Sequence, residues 1–146
     1  MAEAVRYLAR AARSTAEVAR HLERCGIDEV LVAATLDGLR DHGYVDDAAF
    51  AVRRAEDLLL RRGCGRLRVA HELTRRGLTD SVIDRAIAGV LESRTEIALA
   101  RAALVRRFGD ARCASRAERS RAFRFLVGRG HPGEVVSEIL GEDDER

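Results

Sequence analysis

Apolar residues recur at every third or fourth position along almost the whole chain, which is the spacing of one face of an α-helix. A clear example is the stripe Ile97, Ala100, Leu104 and Phe108. No stretch alternates apolar and polar residues in the way of a half-buried strand. The pattern therefore predicts an all-α protein with nine helices.

Helix starts and ends are marked by short polar and glycine signals. Serine followed by glutamate three residues later is a capping box, in which each side chain bonds the other residue's free backbone N–H. The sequence predicts three of them, Ser14–Glu17, Ser93–Glu96 and Ser115–Glu118. Helices are expected to end at glycines such as Gly26 and Gly77, where a left-handed residue can close the last turn.

The corner at residues 43–50 joins two of these helices. Gly43 can end the preceding helix in the left-handed conformation. Asp46 is a suitable N-cap, and Asp47 adds negative charge at the positive end of the helix dipole. Val45 and Phe50 have the spacing of a hydrophobic staple. We interpret this stretch as a rigid structural corner; a metal or acid/base pair made from its two carboxylates is a much weaker alternative.

A repeat of about fifty residues organises the chain. Leu22 and Gly26 correspond to Leu73 and Gly77 with an offset of 51, and these correspond to residues 126 and 130 with an offset of 53. Helical units of this period stack on their neighbours to complete a core. We predict three tandem three-helix repeats (residues 1–45, 46–92 and 93–146) in an elongated, curved array. Such arrays usually bind extended partners.

The apolar face of these helices is expected to form a thin core. The chain is 47% hydrophobic with only 4% aromatic residues, and much of the apolar content is alanine. The residues assigned to apolar faces include Leu31, Leu67, Phe108 and Phe123.

Cysteine usage and hydropathy indicate the compartment. Cys25, Cys64 and Cys113 are far apart and form no CxxC pair, which fits a reducing cytoplasm. No apolar run approaches the length of a membrane span, and no signal peptide is recognisable. We therefore expect a cytoplasmic protein without membrane contact.

Few residues suggest catalysis. His71-Glu72 begins like a zinc-protease motif, but position 75 is arginine, so the second ligand is missing. Cys64 lies between two glycines and could be an accessible thiol, although a nucleophile needs a neighbouring base. The sequence predicts no catalytic residues, no cofactor and no metal.

Charge is distributed unevenly, although the net charge is only +2. Every basic residue is arginine; residues 28–47 are acidic, and residues 48–76 and 101–129 are strongly basic. These could be ordinary solvated helix faces or a surface for an acidic or nucleic-acid-bearing partner. The best local patch comprises Arg61, Arg62, Arg66 and Arg68.

The sequence resembles the RecX family of recombination regulators. The resemblance rests on Gly43-Tyr44-Val45-Asp46-Asp47 with Phe50, on the run 61–65 (Arg-Arg-Gly-Cys-Gly), and on His71-Glu72-Leu73 followed by Gly77-Leu78. It extends to the flanking repeats at residues 14–22 and 125–136, so it covers nearly the whole chain.

The resemblance implies three tandem three-helix repeats, no catalytic residues, and binding to the RecA recombinase and its filament on single-stranded DNA. It also implies that the protein lies along the filament groove and restrains RecA's ATP hydrolysis and strand exchange. We expect the protein to be a monomer. Among the contacts we expect Arg53, Arg66, Arg68 and Arg75. A helical module that binds single-stranded DNA directly, and a scaffold for another protein, remain as alternatives.

Overall fold

The computed structural model describes residues 1–109 and 115–141, which form nine α-helices and contain no strand. The all-α prediction is confirmed. The helices are α1 (Ala2–Leu8), α2 (Thr15–Arg24), α3 (Glu29–Asp41), α4 (Asp47–Glu56), α5 (Arg66–Arg75), α6 (Asp80–Leu91), α7 (Glu96–Phe108), α8 (Arg116–Gly128) and α9 (Gly133–Gly141). A π-helical segment, Asp57–Arg61, continues α4.

The helices form three consecutive groups of three, as predicted. The main helix–helix contacts lie within α1–α3, within α4–α6 and within α7–α9. Each group buries its own apolar cluster, centred on Leu22 in the first, Leu73 in the second and Leu126 in the third. Leu99 of α7 belongs to the middle cluster, so the third repeat contributes to the core of the second.

Two of the three predicted capping boxes are confirmed. The hydroxyl of Ser14 accepts the Glu17 N–H at 3.2 Å, while the Ser14 N–H donates to the Glu17 carboxylate at 2.9 Å. The same exchange joins Ser115 and Glu118.

The predicted box at Ser93–Glu96 is wrong. The hydroxyl of Thr95 is the cap of α7, accepting the Ala98 N–H at 3.2 Å. The preceding helix runs to Leu91, and the Ser93 hydroxyl donates to its Val90 carbonyl at 2.9 Å. Ser93 therefore serves the end of α6 and is not free to start α7.

The corner before α4 has the predicted geometry. Gly43 has φ = +71°, and the Asp46 carboxylate accepts the Ala49 N–H at 3.0 Å. Val45 and Phe50 are both buried, but Val45 belongs to the first apolar cluster and Phe50 to the second. The corner thus divides its two staple residues between neighbouring cores, while Tyr44 is exposed.

Four large apolar side chains predicted on apolar faces are instead on the surface. Leu31 is 60% exposed, Leu67 52%, Phe108 40% and Phe123 43%. The case of Leu31 shows the reason. Val32 and Leu39 are buried seven residues apart, two turns along one face of α3. Leu31 lies about 100° around the helix from Val32, on a side that no helix of the described residues covers.

The first and second repeats are joined mainly through side chains. The Thr15 N–H at the start of α2 donates to the Asp47 carboxylate at 2.8 Å, and the Ser14 hydroxyl donates to the Arg76 carbonyl at 2.6 Å. The Arg76 guanidinium in turn donates a hydrogen bond to the Glu17 carboxylate at 3.2 Å. Asp47 therefore supports both its own helix and the neighbouring repeat.

No helix within the described residues combines the length and apolar character needed to cross a membrane.

Candidate functional site

The candidate site is built on the junction between the second and third repeats. The π-helical segment ends at Arg61. The backbone carbonyls of residues 61–63, at and just after this end, point beyond the helix and need donors from elsewhere. The third repeat supplies donors to all three: Arg106 to the Arg61 carbonyl at 2.8 Å, Arg129 to that of Arg62, and His131 to that of Gly63 at 3.0 Å. Cationic donors at a helix C-terminus satisfy these groups and complement the helix dipole.

The same junction caps the next helix with backbone groups. The N-cap position of helix α5 is Gly65, which has no side chain to act as a cap. The N–H groups of Gly65 and Leu67 donate to the carbonyls of Arg129 and Gly130, at 2.8 and 3.1 Å. A Cβ at position 65 would lie 2.3 Å from the Gly130 oxygen, so only glycine allows this approach. The second repeat therefore donates two main-chain hydrogen bonds to the third.

His131 closes the junction from the inside. Its side chain is buried, and Nε2 carries the hydrogen because the Gly63 carbonyl can only accept. Burial lowers the pKa of His131, and the Arg129 charge lowers it further; the Gly63 hydrogen bond and the Glu96 carboxylate oppose the shift. The folded protein therefore favours the neutral imidazole.

We expect the free energy of unfolding to fall as pH drops below about 6.5, the ordinary histidine value in the unfolded chain. The folded-state pKa lies lower, so the unfolded chain binds the proton first. His131 thus contributes its full stability above that pH and loses it, at up to about 1.4 kcal/mol per pH unit, as the folded pKa is approached. Urea unfolding between pH 7.5 and 5 measures the slope.

His131→Gln keeps a donor for the Gly63 carbonyl but cannot titrate, so its stability is expected to vary less with pH. The matched control is His42→Gln on the exposed end of α3. Equal slopes for wild type and His131→Gln would contradict this account.

An open groove of about 520 Å³ lies over this junction. Its lining residues are Arg61, Arg62, Ala103, Arg106, Arg107, Phe125 and Arg129. Five arginines thus come together, and none of the described lining residues is acidic. One of these arginines, Arg62, forms an ion pair with Asp57 at 3.1 Å.

Aromatic rings orient the guanidinium groups of the groove. Phe108 and Phe125 meet edge to face with their centroids 5.5 Å apart. Arg107 lies 5.1 Å from the centroid of Phe108, and Arg129 lies 5.8 Å from that of Phe125. The Arg129 Nε–H is buried without a partner among the described residues, which leaves an unused donor on a lining side chain. Guanidinium forks held on aromatic faces suit carboxylates and phosphates.

The structure divides the arginines predicted as partner contacts among several places. Arg61 and Arg62 line the arginine groove. Arg53 lines a different groove, beside Tyr44, between the first and second repeats. Arg75 lies with Arg20 and Arg24, beside Tyr7, on a third surface.

Arg66 and Arg68 make contacts within the protein. Arg66 forms an ion pair with the Glu96 carboxylate at 2.9 Å and donates a hydrogen bond to the Glu134 carboxylate at 3.0 Å. Arg68 donates to the Gly128 carbonyl at 3.2 Å. Both therefore bridge the second and third repeats.

Sequence reasoning missed the three arginines that the third repeat adds to the groove, Arg106, Arg107 and Arg129. The available signal was the basic stretch 101–129, but only the fold brings it beside residues 61 and 62.

Two of the residues considered for catalysis, Cys64 and Glu72, have structural surroundings that explain them. Cys64 is 2% exposed, so it is not the accessible thiol that its glycine neighbours suggested. Glu72 accepts from Arg54, and it also lies 3.6 Å from the Arg76 guanidinium.

Family comparisons cover the three repeats separately. Models for the first, second and third three-helix domains of RecX match residues 1–39, 46–87 and 95–140. This chain is 38% identical to the regulatory protein RecX of Halorhodospira halophila, in an alignment that covers 98% of this chain and 89% of that protein. With the same coverage it is 35% identical to that of Acidithiobacillus ferrooxidans.

Solved structures share the fold. The crystal structure of RecX from Lactobacillus salivarius superposes with a TM-score of 0.80 at 18% identity, covering 99% of this chain and 94% of that one. A second crystal structure of regulatory protein RecX gives a TM-score of 0.75 at 21% identity, covering 97% of this chain and 69% of that one. Three family models match this chain in order, and its relatives align with it over nearly their whole length. This chain therefore belongs to the RecX family of regulatory proteins.

Proposed function

We propose that this chain binds the RecA recombinase and its filament on single-stranded DNA, in the cytoplasm, and restrains ATP hydrolysis and strand exchange. The observation that carries the proposal is the near full-length match to regulatory proteins named RecX. The three-repeat fold supports it, since such arrays present a continuous surface to an extended partner.

The arginine groove is the proposed contact surface. A nucleoprotein filament presents phosphates and acidic side chains, and both pair with guanidinium forks. Arg61 and Arg107 are exposed, and no ion pair is recorded for either among the described residues. Their charges are therefore available to a partner, whereas Arg106 and Arg129 also hold the junction.

The other predicted contacts take different places in this proposal. Arg66 and Arg68 act indirectly, by fixing the third repeat against the second. Arg53 and Arg75 face other surfaces and stay predicted contacts of the same filament.

The test is a titration of this protein into RecA assembled on single-stranded DNA, with ATP hydrolysis as the measurement. We expect hydrolysis to fall at well under one copy of the protein per RecA subunit, because one elongated molecule can block several subunits. Unchanged hydrolysis at a molar excess would refute the proposed function.

Direct binding to single-stranded DNA is the second candidate, favoured by the exposed ring of Phe108 beside Arg107. Bases stack on aromatic side chains while arginines follow the phosphates. Fluorescence anisotropy of labelled DNA without RecA separates the two. A DNA-binding module should bind the bare strand tightly, with affinity falling steeply between low and high salt, and should inhibit RecA only when the DNA is saturated.

A further inference from the structure

A cluster of three potential metal ligands lies at the opposite end of the chain from the arginine groove. Glu3 extends from α1, and His21 and Cys25 lie four residues apart at the end of α2. One ligand atom from each residue lies within 4.8 Å of the other two. The sequence analysis missed this cluster because Glu3 and His21 are 18 residues apart.

One ring nitrogen faces both partners. His21 Nε2 is 3.0 Å from Glu3 Oε1 and 3.8 Å from Cys25 Sγ. A single proton on Nε2 points along one direction, so it can serve the carboxylate but not the sulfur. A metal ion in place of that proton could bond all three atoms.

The spacing fits tetrahedral zinc. Usual zinc–ligand lengths place a nitrogen and an oxygen about 3.3 Å apart, and a nitrogen and a sulfur about 3.6 Å apart. The observed separations, 3.0 and 3.8 Å, differ from these by a few tenths of an ångström. The Glu3 oxygen and the Cys25 sulfur lie within 4.8 Å of each other and would have to approach to about 3.6 Å, which rotation of the exposed Cys25 side chain can supply.

The first-repeat helices already hold the ligands in place. The His21 ring stacks on Tyr7, with centroids 3.9 Å apart and planes at 3°. The other oxygen of Glu3 is held by Arg6 at 2.7 Å, which leaves Oε1 directed at His21.

We propose that Glu3, His21 and Cys25 form a zinc site that joins α1 to α2, with a fourth position open to water. A borderline-soft divalent ion suits this mixed set of oxygen, nitrogen and sulfur. Binding converts the Cys25 thiol to a thiolate and releases its proton to solvent, while the neutral His21 ring binds through Nε2 and carries its hydrogen on Nδ1. Since α1 is only seven residues long, the ion would fix a helix that has little core of its own.

The experiment uses the full chain, reduced and treated with chelator, and titrated with Co²⁺ and then with Zn²⁺. We expect a thiolate-to-cobalt absorption band that saturates at one equivalent and is bleached by Zn²⁺. Zn²⁺ should also raise the melting temperature. Absence of the band, together with no change in melting temperature, would overturn the proposal.

Three substitutions, at the half-buried Glu3 and His21 and the exposed Cys25, test the ligands. Cys25→Ser should abolish the cobalt band, and His21→Gln and Glu3→Gln should each weaken Zn²⁺ binding about tenfold or more, the size of effect typical of zinc-site residues. Circular dichroism checks that each variant retains its helices.

The matched controls are His42→Gln and Cys113→Ser, and both should bind as wild type does. Cys113 lies outside the described residues. If the band survives Cys25→Ser or disappears with Cys113→Ser, the thiolate comes from elsewhere and the assignment is wrong.

Discussion

Replacing Gly65 by alanine is expected to lower the free energy of unfolding by about 3 kcal/mol, at the upper end for overpacking. The added Cβ would lie 2.3 Å from the Gly130 oxygen and 2.4 Å from the His131 Cα. Both are backbone atoms, so no side chain can rotate away. The two repeats must separate, so the hydrogen bonds that the Gly65 and Leu67 N–H groups donate to the third repeat lengthen or break. Urea unfolding followed by circular dichroism measures the loss.

Gly89→Ala is the matched control for this prediction. Gly89 is an exposed residue inside α6, and a Cβ there meets nothing within 4 Å. The same change should stabilise the protein by about 0.5–1 kcal/mol, since alanine is the better helix former. If both variants change the free energy of unfolding alike, the close approach of the two repeats is not what makes alanine unfavourable at position 65.

Reversing the charges of Arg61 and Arg107 is expected to raise the concentration needed for half-inhibition of RecA about 100-fold. Each charge-assisted hydrogen bond lost costs about 1.5 kcal/mol or more, which is about tenfold in affinity. Both side chains are exposed lining residues of the groove, so the double variant Arg61→Glu/Arg107→Glu should remain folded. The RecA-dependent hydrolysis assay measures the shift, and thermal unfolding checks the fold.

A control with the same change in net charge separates contact from general electrostatics. Arg85→Glu/Arg94→Glu reverses two exposed arginines that do not line the groove. It should shift half-inhibition only a few-fold, because distant surface charges are screened at physiological salt. Equal losses in the two double variants would show that the groove is not the contact surface.

Local sequence signals predicted the helices well. The capping boxes at Ser14 and Ser115, and the cap at Asp46, depend on residues within four positions of each other. Their chemistry is therefore complete in the sequence. The box at Ser93 was wrong for a competing local reason, since the end of α6 uses the same serine.

Long-range contacts explain what sequence reasoning could not provide. Arg61 and Arg66 are close in sequence, yet one lines an open groove and the other is bound to Glu96 and Glu134. His131 directly follows Gly130 at the end of the turn after α8, where the local pattern suggests nothing beyond a helix end. It instead bonds a carbonyl 68 residues away, and no periodic pattern contains that information.

The carbonyls of residues 61–63, 129 and 130 accept hydrogen bonds across the junction between the second and third repeats, and this has a consequence for how the protein can change over time. The side chains at positions 61 and 62 can change in identity without altering these acceptors, whereas the donors on the Arg106, Arg129 and His131 side chains must be kept. A single inserted or deleted residue between positions 61 and 67 would shift every pairing at once. Loop length there should therefore be more tightly constrained than residue identity, apart from Gly65 and Gly130, whose lack of a side chain permits the approach.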